Sequence, residues 1–218
     1  MYKRFGKRFL DIALSLCALL VLGIPMLIVA LAIRIDMGSP VIFRQNRIGK
    51  DNKEFKLMKF RSMTDARDEN GIYLPDADRI TKLGRFIRTT SIDELPSLIN
   101  ILKGEMSIIG PRPLPTRYLS RYTPEQLRRH EVRPGLSNVS VVNGRNAQSW
   151  ESQFASDVWY VDHVSFLVDA KSIFGTIRIV LTKEGATSED GDCRGEFIGT
   201  ATVEELQSDS EGNYMKLQ

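Results

Sequence analysis

Residues 12–33 read Ile-Ala-Leu-Ser-Leu-Cys-Ala-Leu-Leu-Val-Leu-Gly-Ile-Pro-Met-Leu-Ile-Val-Ala-Leu-Ala-Ile, a run of 22 residues without a charged side chain. About 20 apolar residues are enough for a helix to cross the hydrocarbon core of a bilayer. A helix on the surface of a soluble protein keeps a polar face, and this stretch has none. A secretory signal peptide is the alternative, but the run is longer than a signal core and no obvious cleavage site follows it. The stretch therefore predicts contact with a membrane.

Basic residues lie on both sides of this apolar stretch. They are Lys3, Arg4, Lys7 and Arg8 before it, and Arg34, Arg44, Arg47 and Lys50 after it. The positive-inside rule places such residues in the cytoplasm, and here it applies to both ends. Pro25 lies mid-stretch, where a proline removes a backbone hydrogen bond and kinks or breaks a helix. We therefore predict that residues 1–36 form a re-entrant membrane helix hairpin, in preference to a single span.

The rest of the chain divides by charge. Residues 185–218 hold eight acidic and two basic residues, although the whole chain of 218 residues has a net charge of +3. The chain before this tail is therefore basic, which suits anionic partners such as phosphates, acidic lipid or nucleic acid. We predict one compact cytosolic domain over residues 37–184. The acidic tail has few apolar residues, and we predict that it is flexible.

The predicted secondary structure of this domain is mainly helical with a small β-hairpin, so the predicted fold class is α+β. The hairpin pairs residues 41–45 with residues 54–63 across a turn rich in Gly and Asn. The strand period of two places Lys59 and Arg61 on the same face of the second strand. Two cations are therefore expected side by side.

Three helices are predicted from apolar residues three and four positions apart. One covers residues 95–102 and ends at Gly104, and another covers residues 165–184 and ends at Gly185. Residues 79–88 form a third, short amphipathic helix with a basic face. This helix either lies at the membrane interface among lipid headgroups or packs on the protein core, and its pattern favours neither alternative.

Residues 91–96 read Ser-Ile-Asp-Glu-Leu-Pro, and this acidic pair has a structural and a chemical interpretation. Ser91 and Glu94 match a capping box at the start of a helix. Asp93 is the alternative cap, because it places Pro96 in the first helical turn, where proline is tolerated. An ionised Asp can also attack phosphorus while its neighbour holds a divalent metal.

Many cations are available to such a site, namely Lys59, Arg61, Arg88 and Arg112. Arginine side chains bind phosphate oxygens two at a time. Phosphoryl transfer depends mainly on positioning and on neutralising charge. Mg²⁺ suits the same chemistry, since it commonly bridges carboxylates and substrate phosphates. The residues around the acidic pair therefore predict phosphate chemistry.

Several motifs, in this order and spacing, resemble those of the bacterial sugar transferases. They are Phe9-Leu-Asp-Ile, Lys59-Phe-Arg-Ser-Met63, Ser91-Ile-Asp-Glu-Leu-Pro-Ser-Leu-Ile-Asn100, Lys103-Gly-Glu-Met-Ser-Ile-Ile-Gly-Pro-Arg-Pro113, Arg133-Pro-Gly135 and Asn143-Gly-Arg-Asn146. More narrowly, residues 1–185 are similar to the small monotopic phosphoglycosyl transferases of the type that begins bacterial N-linked glycan assembly.

The resemblance implies an activity and a location. Members of the family move a phospho-sugar from a UDP-sugar to a polyprenol phosphate, usually undecaprenyl phosphate, and release UMP, with Mg²⁺ as cofactor. They do so at the cytoplasmic face of the bacterial inner membrane, and downstream glycosyltransferases of the same pathway use the product. The expected partners are therefore a UDP-sugar, undecaprenyl phosphate and membrane lipids, and no nucleic acid.

The resemblance also implies roles for individual residues. Asp93 corresponds to the nucleophile that forms a covalent phospho-sugar enzyme, and Glu94 to its metal-associated partner, so both are expected metal ligands. The substrate-binding residues that the resemblance implies are Lys59, Arg88, Arg112, Arg145 and Asp157.

Two other classes of function are compatible with parts of the sequence. Another membrane-bound phosphate enzyme, such as a lipid phosphatase or a transferase that binds both substrates at once, would use similar residues. A non-enzymatic membrane module would use the basic body on acidic lipid or nucleic acid. Such a surface does not require an acidic pair near Gly110-Pro-Arg-Pro113, so we expect the enzyme.

Overall fold

The computed structural model describes residues 1–140, 149–182 and 195–200, and its fold is mixed α/β and mainly helical, as predicted. In chain order the elements are α1 (Lys7–Met37), β1 (Ile42–Ile48), β2 (Glu54–Phe60), α2 (Asp76–Arg79), α3 (Lys82–Thr89), α4 (Ser97–Lys103), β3 (Ser107–Ile109), α5 (Pro124–Leu127), β4 (Gly135–Ser137), α6 (Trp150–Asp162) and α7 (Phe166–Thr182). A π-helical turn, Tyr2–Gly6, precedes α1, and short 3-10 turns lie at Lys50–Asn52, Ile92–Glu94, Thr116–Arg121 and Arg128–Glu131.

Helix α1 is long and apolar enough to cross a membrane, as the sequence predicts. It runs for 31 residues as one helix that includes Pro25. Proline inside a helix costs about 3 kcal/mol, but residues on both sides of it, including Leu19 and Met26, pack on the domain. Many apolar side chains of α1 are more than 60% exposed. Beyond Phe9 along the helix, they are Leu20, Val21, Ile24, Leu27, Ile28, Leu31 and Ile35. Re-entry into the membrane remains a prediction.

The N-terminal end of α1 is bound to the domain by polar contacts. The Asp11 carboxylate is buried and accepts hydrogen bonds from the Ser107 hydroxyl at 2.8 Å and from the Ile108 amide at 3.0 Å. Arg8 donates to two carbonyls at the C-terminal end of α4, at 2.6 and 2.9 Å. The membrane helix is therefore attached directly to β3 and α4.

The C-terminal end of α1 is bound to the same domain. Ile33 is fully buried against Phe60 and Ile87. Arg61 donates to the Met37 carbonyl at 3.2 Å and to the Ser39 carbonyl at 3.1 Å. Both ends of the apolar helix thus contact one folded body.

Strands β1 and β2 form the predicted hairpin. They are antiparallel, with Ile42 opposite Phe60 and Ile48 opposite Glu54. Strand β1 extends three residues beyond the predicted end at 45, and β2 ends before the predicted end at 63. Since the described sheet has two strands, the outer edge of β2 needs another hydrogen-bonding partner.

Helix α4 supplies that partner through two buried polar side chains. The Ser97 hydroxyl donates to the Met58 carbonyl at 2.8 Å. Asn100 accepts from the Met58 amide at 3.0 Å and donates to the Lys56 carbonyl at 2.8 Å. These contacts fix α4 against β2. The helix ends at Gly104 (φ 86°), as predicted.

Strands β3 and β4 form a parallel pair, with Ser107 opposite Gly135 and Ile109 opposite Ser137. The backbones then approach so closely that a Cβ atom on Gly135 would lie 2.2 Å from the Gly110 nitrogen. Only glycine can occupy such a position. The contact fixes the start of the loop Gly110-Pro-Arg-Pro113.

Helix α3 packs one face of the basic amphipathic segment on the protein core, and a place among lipid headgroups remains a prediction. Its apolar residue Ile87 is fully buried beside Ile33 of α1, so this face packs on the core. Helix α7 confirms the last predicted helix, whereas α6 was not predicted. Gly185, the predicted cap of α7, lies outside the described residues.

Residues 195–200, the described part of the acidic tail, pack on the domain. Phe197 is 2% exposed and enters a buried aromatic cluster. The other aromatic residues around it are Tyr118, Tyr122, Trp150 and Phe154. Glu196 pairs with Arg117 at 2.9 Å and Arg121 at 2.8 Å. The buried Phe197 side chain and the two ion pairs of Glu196 stabilise residues 195–200, although the composition of the tail alone predicts disorder. The other residues of 185–218 lie outside the described ranges.

Replacing Asn100 with Ala should destabilise the fold. The variant leaves the Met58 amide and the Lys56 carbonyl without their partner, and each orphaned buried group costs about 1–3 kcal/mol. We expect the free energy of unfolding, measured by urea titration in detergent, to fall by about 2–4 kcal/mol. The control is Asn70→Ala at an exposed position, which should change it by less than about 0.5 kcal/mol. Equal stability of the two variants would contradict this assignment.

Candidate active site

Asp93 and Glu94 lie in the 3-10 turn Ile92–Glu94, immediately before α4. Ser91 precedes the turn in a left-handed conformation with φ 57°, which costs a non-glycine residue about 1–2 kcal/mol. Ser91 makes no side-chain cap, and Pro96 occupies the N-cap position of α4. Both predicted cap assignments are therefore wrong, because α4 begins only at Ser97. The acidic pair lies ahead of the helix rather than in its first turn.

Lys59 binds this acidic pair from strand β2. Its Nζ atom is 2.7 Å from Glu94 Oε1 and 3.6 Å from Asp93 Oδ2. The Asp93 side chain is 13% exposed, Glu94 22% and Lys59 24%, so solvent screens these charges only in part. The docking of α4 on β2 sets the distance between the cation and the carboxylates.

Burial raises the pKa of the Asp93 carboxyl above its ordinary value. Lys59 lowers the same pKa, Glu94 raises it, and Arg88 and Arg112 lower it. The loss of hydration thus outweighs the favourable charges of Lys59, Arg88 and Arg112. A carboxyl group perturbed by desolvation and specific charges at a cleft is typical of functional sites.

A cleft opens beside the acidic pair. Its polar lining comes mainly from Arg47, Lys59, Glu94, Ser97 and Arg112. Arg88 is exposed on α3 and donates to the Ser62 hydroxyl at 2.9 Å; its charge acts on Asp93, as does that of Arg112. Five predicted site residues therefore lie together: Lys59, Arg88, Asp93, Glu94 and Arg112.

Asp157, a predicted substrate contact, is buried in an ion pair with Arg129. Its carboxylate is 3% exposed and accepts from Arg129 at 2.7 and 3.1 Å. Arg129 is itself buried and donates to the Arg112 carbonyl at 2.8 Å. Asp157 thus orients Arg129, which holds the backbone of Arg112 at the cleft, and its contact with substrate remains a prediction.

Two other predicted cations, Arg145 and Arg61, are not placed beside the acidic pair by the described residues. Arg145, with the motif Asn143-Gly-Arg-Asn146, lies outside the described residues. Arg61 does not join Lys59, because it follows the end of β2 and donates to carbonyls beside the end of α1. The expected pair of neighbouring cations is therefore wrong, and Arg61 holds the membrane helix instead.

The residues present are compatible with Mg²⁺ only if substrate supplies further ligands. Among the residues that the structure describes, no group of three or more His, Cys, Asp or Glu side chains could hold a metal ion. Asp93 and Glu94 offer adjacent carboxylates, and Lys59 already contacts one oxygen of Glu94. Mg²⁺ is commonly held by one or two carboxylates together with substrate phosphates. The donor set suits such a shared ion and not a site made of protein alone.

Sequence reasoning missed Arg47, Ser97 and Asn100. Arg47 was assigned to a turn and counted only among the basic residues around the apolar stretch. Extending β1 to Ile48 places it on the cleft. Ser97 and Asn100 read as polar residues on a short helix, and only the unpaired edge of β2 explains their burial. Their spacing of three residues, which puts both on one helix face, was the available signal.

Residues 2–183 match the family described as Bacterial sugar transferase. The chain belongs to the bacterial sugar transferase family. It is 47% identical over 197 residues to the protein named "Uncharacterized sugar transferase EpsL" of Bacillus subtilis, covering 90% of this chain and 98% of that protein.

Two relatives carry names that state a reaction. The UDP-N-acetylgalactosamine-undecaprenyl-phosphate N-acetylgalactosaminephosphotransferase of Aeromonas hydrophila is 38% identical over 190 residues, which cover 84% of this chain and 45% of that protein. The undecaprenyl-phosphate galactose phosphotransferase of Salmonella typhimurium is 35% identical over 200 residues, covering 84% and 42%. This bacterial sugar transferase therefore spans less than half the length of either.

Charge changes around Asp93 should move its pKa in opposite directions. Lys59→Met removes the largest favourable charge and should raise the Asp93 pKa further. Glu94→Gln removes a like charge and should lower it. Both are measurable by ¹³C NMR titration of labelled carboxyl groups, with the Asp93 signal assigned by its loss in Asp93→Asn. Lys56→Met, at an exposed position on β2, is the control and should leave it unchanged; shifts of the opposite sign would refute the described geometry.

Breaking the buried Arg129–Asp157 pair should cost more stability than breaking an exposed pair. Asp157→Asn leaves a buried guanidinium without its carboxylate, and we expect a loss of about 3–5 kcal/mol in unfolding free energy. The exposed pair between Arg128 and Asp162 offers a matched control on neighbouring elements, and Asp162→Asn should cost less than about 1 kcal/mol. Similar losses in the two variants would show that the Arg129 pair is not buried as described.

Proposed function

We propose that this chain transfers a sugar phosphate from a UDP-sugar to undecaprenyl phosphate, through a covalent phospho-sugar on Asp93, and releases UMP. The observation that carries the proposal is the desolvated Asp93 carboxylate, 3.6 Å from Lys59, beside a cleft rich in cations. Membership of the bacterial sugar transferase family supports the reaction class. The two relatives named as undecaprenyl-phosphate sugar phosphotransferases support the acceptor.

In the first step, an Asp93 carboxylate oxygen attacks the phosphorus that bears the sugar. The new O–P bond forms as the bond between this phosphorus and the bridging oxygen breaks, and UMP leaves with that oxygen. Lys59 and Arg112 offset the negative charge of the diphosphate as the carboxylate approaches. Burial helps because a poorly hydrated carboxylate is more basic than one in water.

In the second step, a phosphate oxygen of the acceptor attacks the same phosphorus on Asp93. The aspartyl O–P bond breaks, the Asp93 carboxylate is restored, and the product is a polyprenyl diphosphate sugar. The two substrates use one site in turn. This order explains how a small domain can join a water-soluble donor to a lipid acceptor.

Mg²⁺ is the cofactor we propose, with Glu94 and Asp93 as its protein ligands. Its role when bound would be to offset charge on the substrate phosphates. Glu94 then has two partners in this proposal, the ion and the Lys59 ammonium, which is 2.7 Å away. Lys59 would orient the Glu94 carboxylate at the lining of the cleft.

We further propose that the protein is monotopic and that α1 enters and leaves the membrane on one side. A straight helix of 31 residues measures about 46 Å, whereas the hydrocarbon core is about 30 Å thick. As a span it would put its ends on opposite sides. Asp11 near one end and Ile33 near the other both contact the same domain, which supports insertion from one face.

The cytoplasmic face of the bacterial inner membrane is the proposed location. A UDP-sugar is a cytosolic donor, and undecaprenyl phosphate lies in the membrane beside the exposed apolar side of α1. Downstream glycosyltransferases of the same pathway would extend the lipid-linked sugar. No nucleic-acid partner is proposed.

Replacing Asp93 with Asn should abolish the reaction, because an amide is a poor nucleophile toward phosphorus. We expect UMP release from a panel of UDP-sugars with undecaprenyl phosphate to fall at least 1,000-fold, about 4 kcal/mol in activation free energy. Asp78→Asn, at an exposed carboxylate on the same domain, is the control and should retain activity within about twofold. Undiminished turnover by Asp93→Asn would refute the assignment.

Steady-state kinetics separate this proposal from its alternatives. Exchange through a covalent enzyme gives parallel double-reciprocal lines when both substrates are varied. Intersecting lines would indicate a transferase that binds both substrates at once. Release of inorganic phosphate from the lipid, without any UDP-sugar, would indicate a lipid phosphatase.

A further inference from the structure

Arg47 lies on the same face of the hairpin as Lys59. It is opposite Phe55 in the register of β1 and β2. Every second residue of a strand lies on the same face, so Phe55, Leu57 and Lys59 of β2 share the face of Arg47. Arg47, Leu57 and Lys59 all line the cleft. Four residues along a strand span about 13 Å, so the two cations reach into the cleft from opposite ends.

The Arg47 guanidinium is incompletely satisfied. It donates to the Gln45 side chain at 2.6 Å and to the Pro113 carbonyl at 3.3 Å, and both acceptors are neutral. Its Nε atom is buried and has no hydrogen-bond partner among the described residues. No carboxylate in that part of the chain forms an ion pair with it, unlike Lys59.

A guanidinium with a buried, unpaired Nε donor and no carboxylate partner is unfavourable unless an anion binds. Burial, together with the charges of Arg112 and Arg117, lowers the pKa of Arg47 to about 10, so it remains protonated at neutral pH. A buried cation is normally paired with a carboxylate or another anion. Its free donor and its position on the cleft wall suit a ligand that brings its own negative charge.

The charges along the cleft show which part of a ligand Arg47 would meet. The charges of Arg88 and Lys59 lower the pKa of Asp93, whereas the charge of Arg117 lowers the pKa of Arg47. Arg112 acts on both. Arg112 lines the same cleft as Lys59 and Arg47, so a diphosphate attacked at the Asp93 end can extend its other phosphate toward Arg47.

We propose that Arg47 binds the uridine-side phosphate of the donor, the group that leaves as UMP. The inference rests on the proposed function, in which Asp93 attacks the sugar-bearing phosphorus. Arg47 and Arg112 bind the leaving phosphate as its charge increases, while Lys59 stays with the carboxylates. The acceptor phosphate then attacks from the position that UMP has left, so we expect Arg47 to bind that phosphate in turn.

The test is UMP binding to the full-length protein in detergent, measured by isothermal titration calorimetry. Arg47→Gln should weaken UMP binding about 10- to 100-fold, as expected for the loss of a charge-assisted contact. The control is Arg44→Gln, an exposed arginine on the same strand, which should bind UMP within about twofold of the unchanged protein. Equal UMP affinity in Arg47→Gln and the unchanged protein would overturn the assignment.

A second measurement separates substrate binding from a structural role. Uridine lacks the phosphate that Arg47 is proposed to bind, so Arg47→Gln should weaken UMP binding and leave uridine binding within about twofold. Added guanidinium ion should restore part of the UMP affinity of Arg47→Gln. Equal losses of UMP and uridine affinity, with no rescue, would mean that Arg47 only supports the fold.

Arg47→Lys keeps the proposal testable if Arg47→Gln does not fold. Lysine retains the charge but not the planar pair of donors, so UMP should bind several-fold more weakly, and unchanged affinity would overturn the proposal. Failure of the proposed function gives a different result, because the unchanged protein would then neither bind UMP nor release it from any UDP-sugar.

Discussion

The contact between Asn100 of α4 and the open edge of β2 is the interaction on which the site depends. A two-stranded hairpin is marginal on its own, and its outer edge exposes backbone groups that require partners. Asn100 and Ser97 satisfy those groups in place of a third strand. Because the acidic turn immediately precedes α4 and Lys59 belongs to β2, the same contact brings the carboxylates to the cation. Polar side chains buried for structural reasons therefore set the geometry of the candidate chemistry.

The membrane helix is built into the same framework. Asp11 binds the first residues of β3, whose strand continues into the loop that carries Arg112. Arg129, held by Asp157, fixes the Arg112 carbonyl from the other side. The apolar helix and the cleft thus share short, buried polar connections. A lipid acceptor that arrives along α1 would meet a site whose position relative to the membrane is already fixed.

The local elements followed from sequence because their signals are local. The apolar run, the hairpin with its Gly/Asn turn, and the helix ending at Gly104 each follow from periodicity or turn chemistry. The acidic pair and three of its cations were found from residue type and resemblance. Tertiary contacts were not accessible in this way: Asp157 is polar but buried against Arg129, Arg61 serves α1, and Arg47 reaches the cleft only because β1 is longer than its pattern predicts. The packing of Phe197 was equally inaccessible from sequence, since this one aromatic side chain anchors residues 195–200 on the domain although composition predicts disorder there.

The central claim is that the Asp93 carboxylate carries the sugar phosphate between two substrates. Its most direct test is to mix the protein with its UDP-sugar and no acceptor, quench within the first turnover, and locate the added mass by tandem mass spectrometry of the peptides. We expect one phospho-sugar per chain, attached at Asp93, with one equivalent of UMP released. An adduct on another residue, or steady turnover with acceptor and no adduct at any time, would contradict the claim.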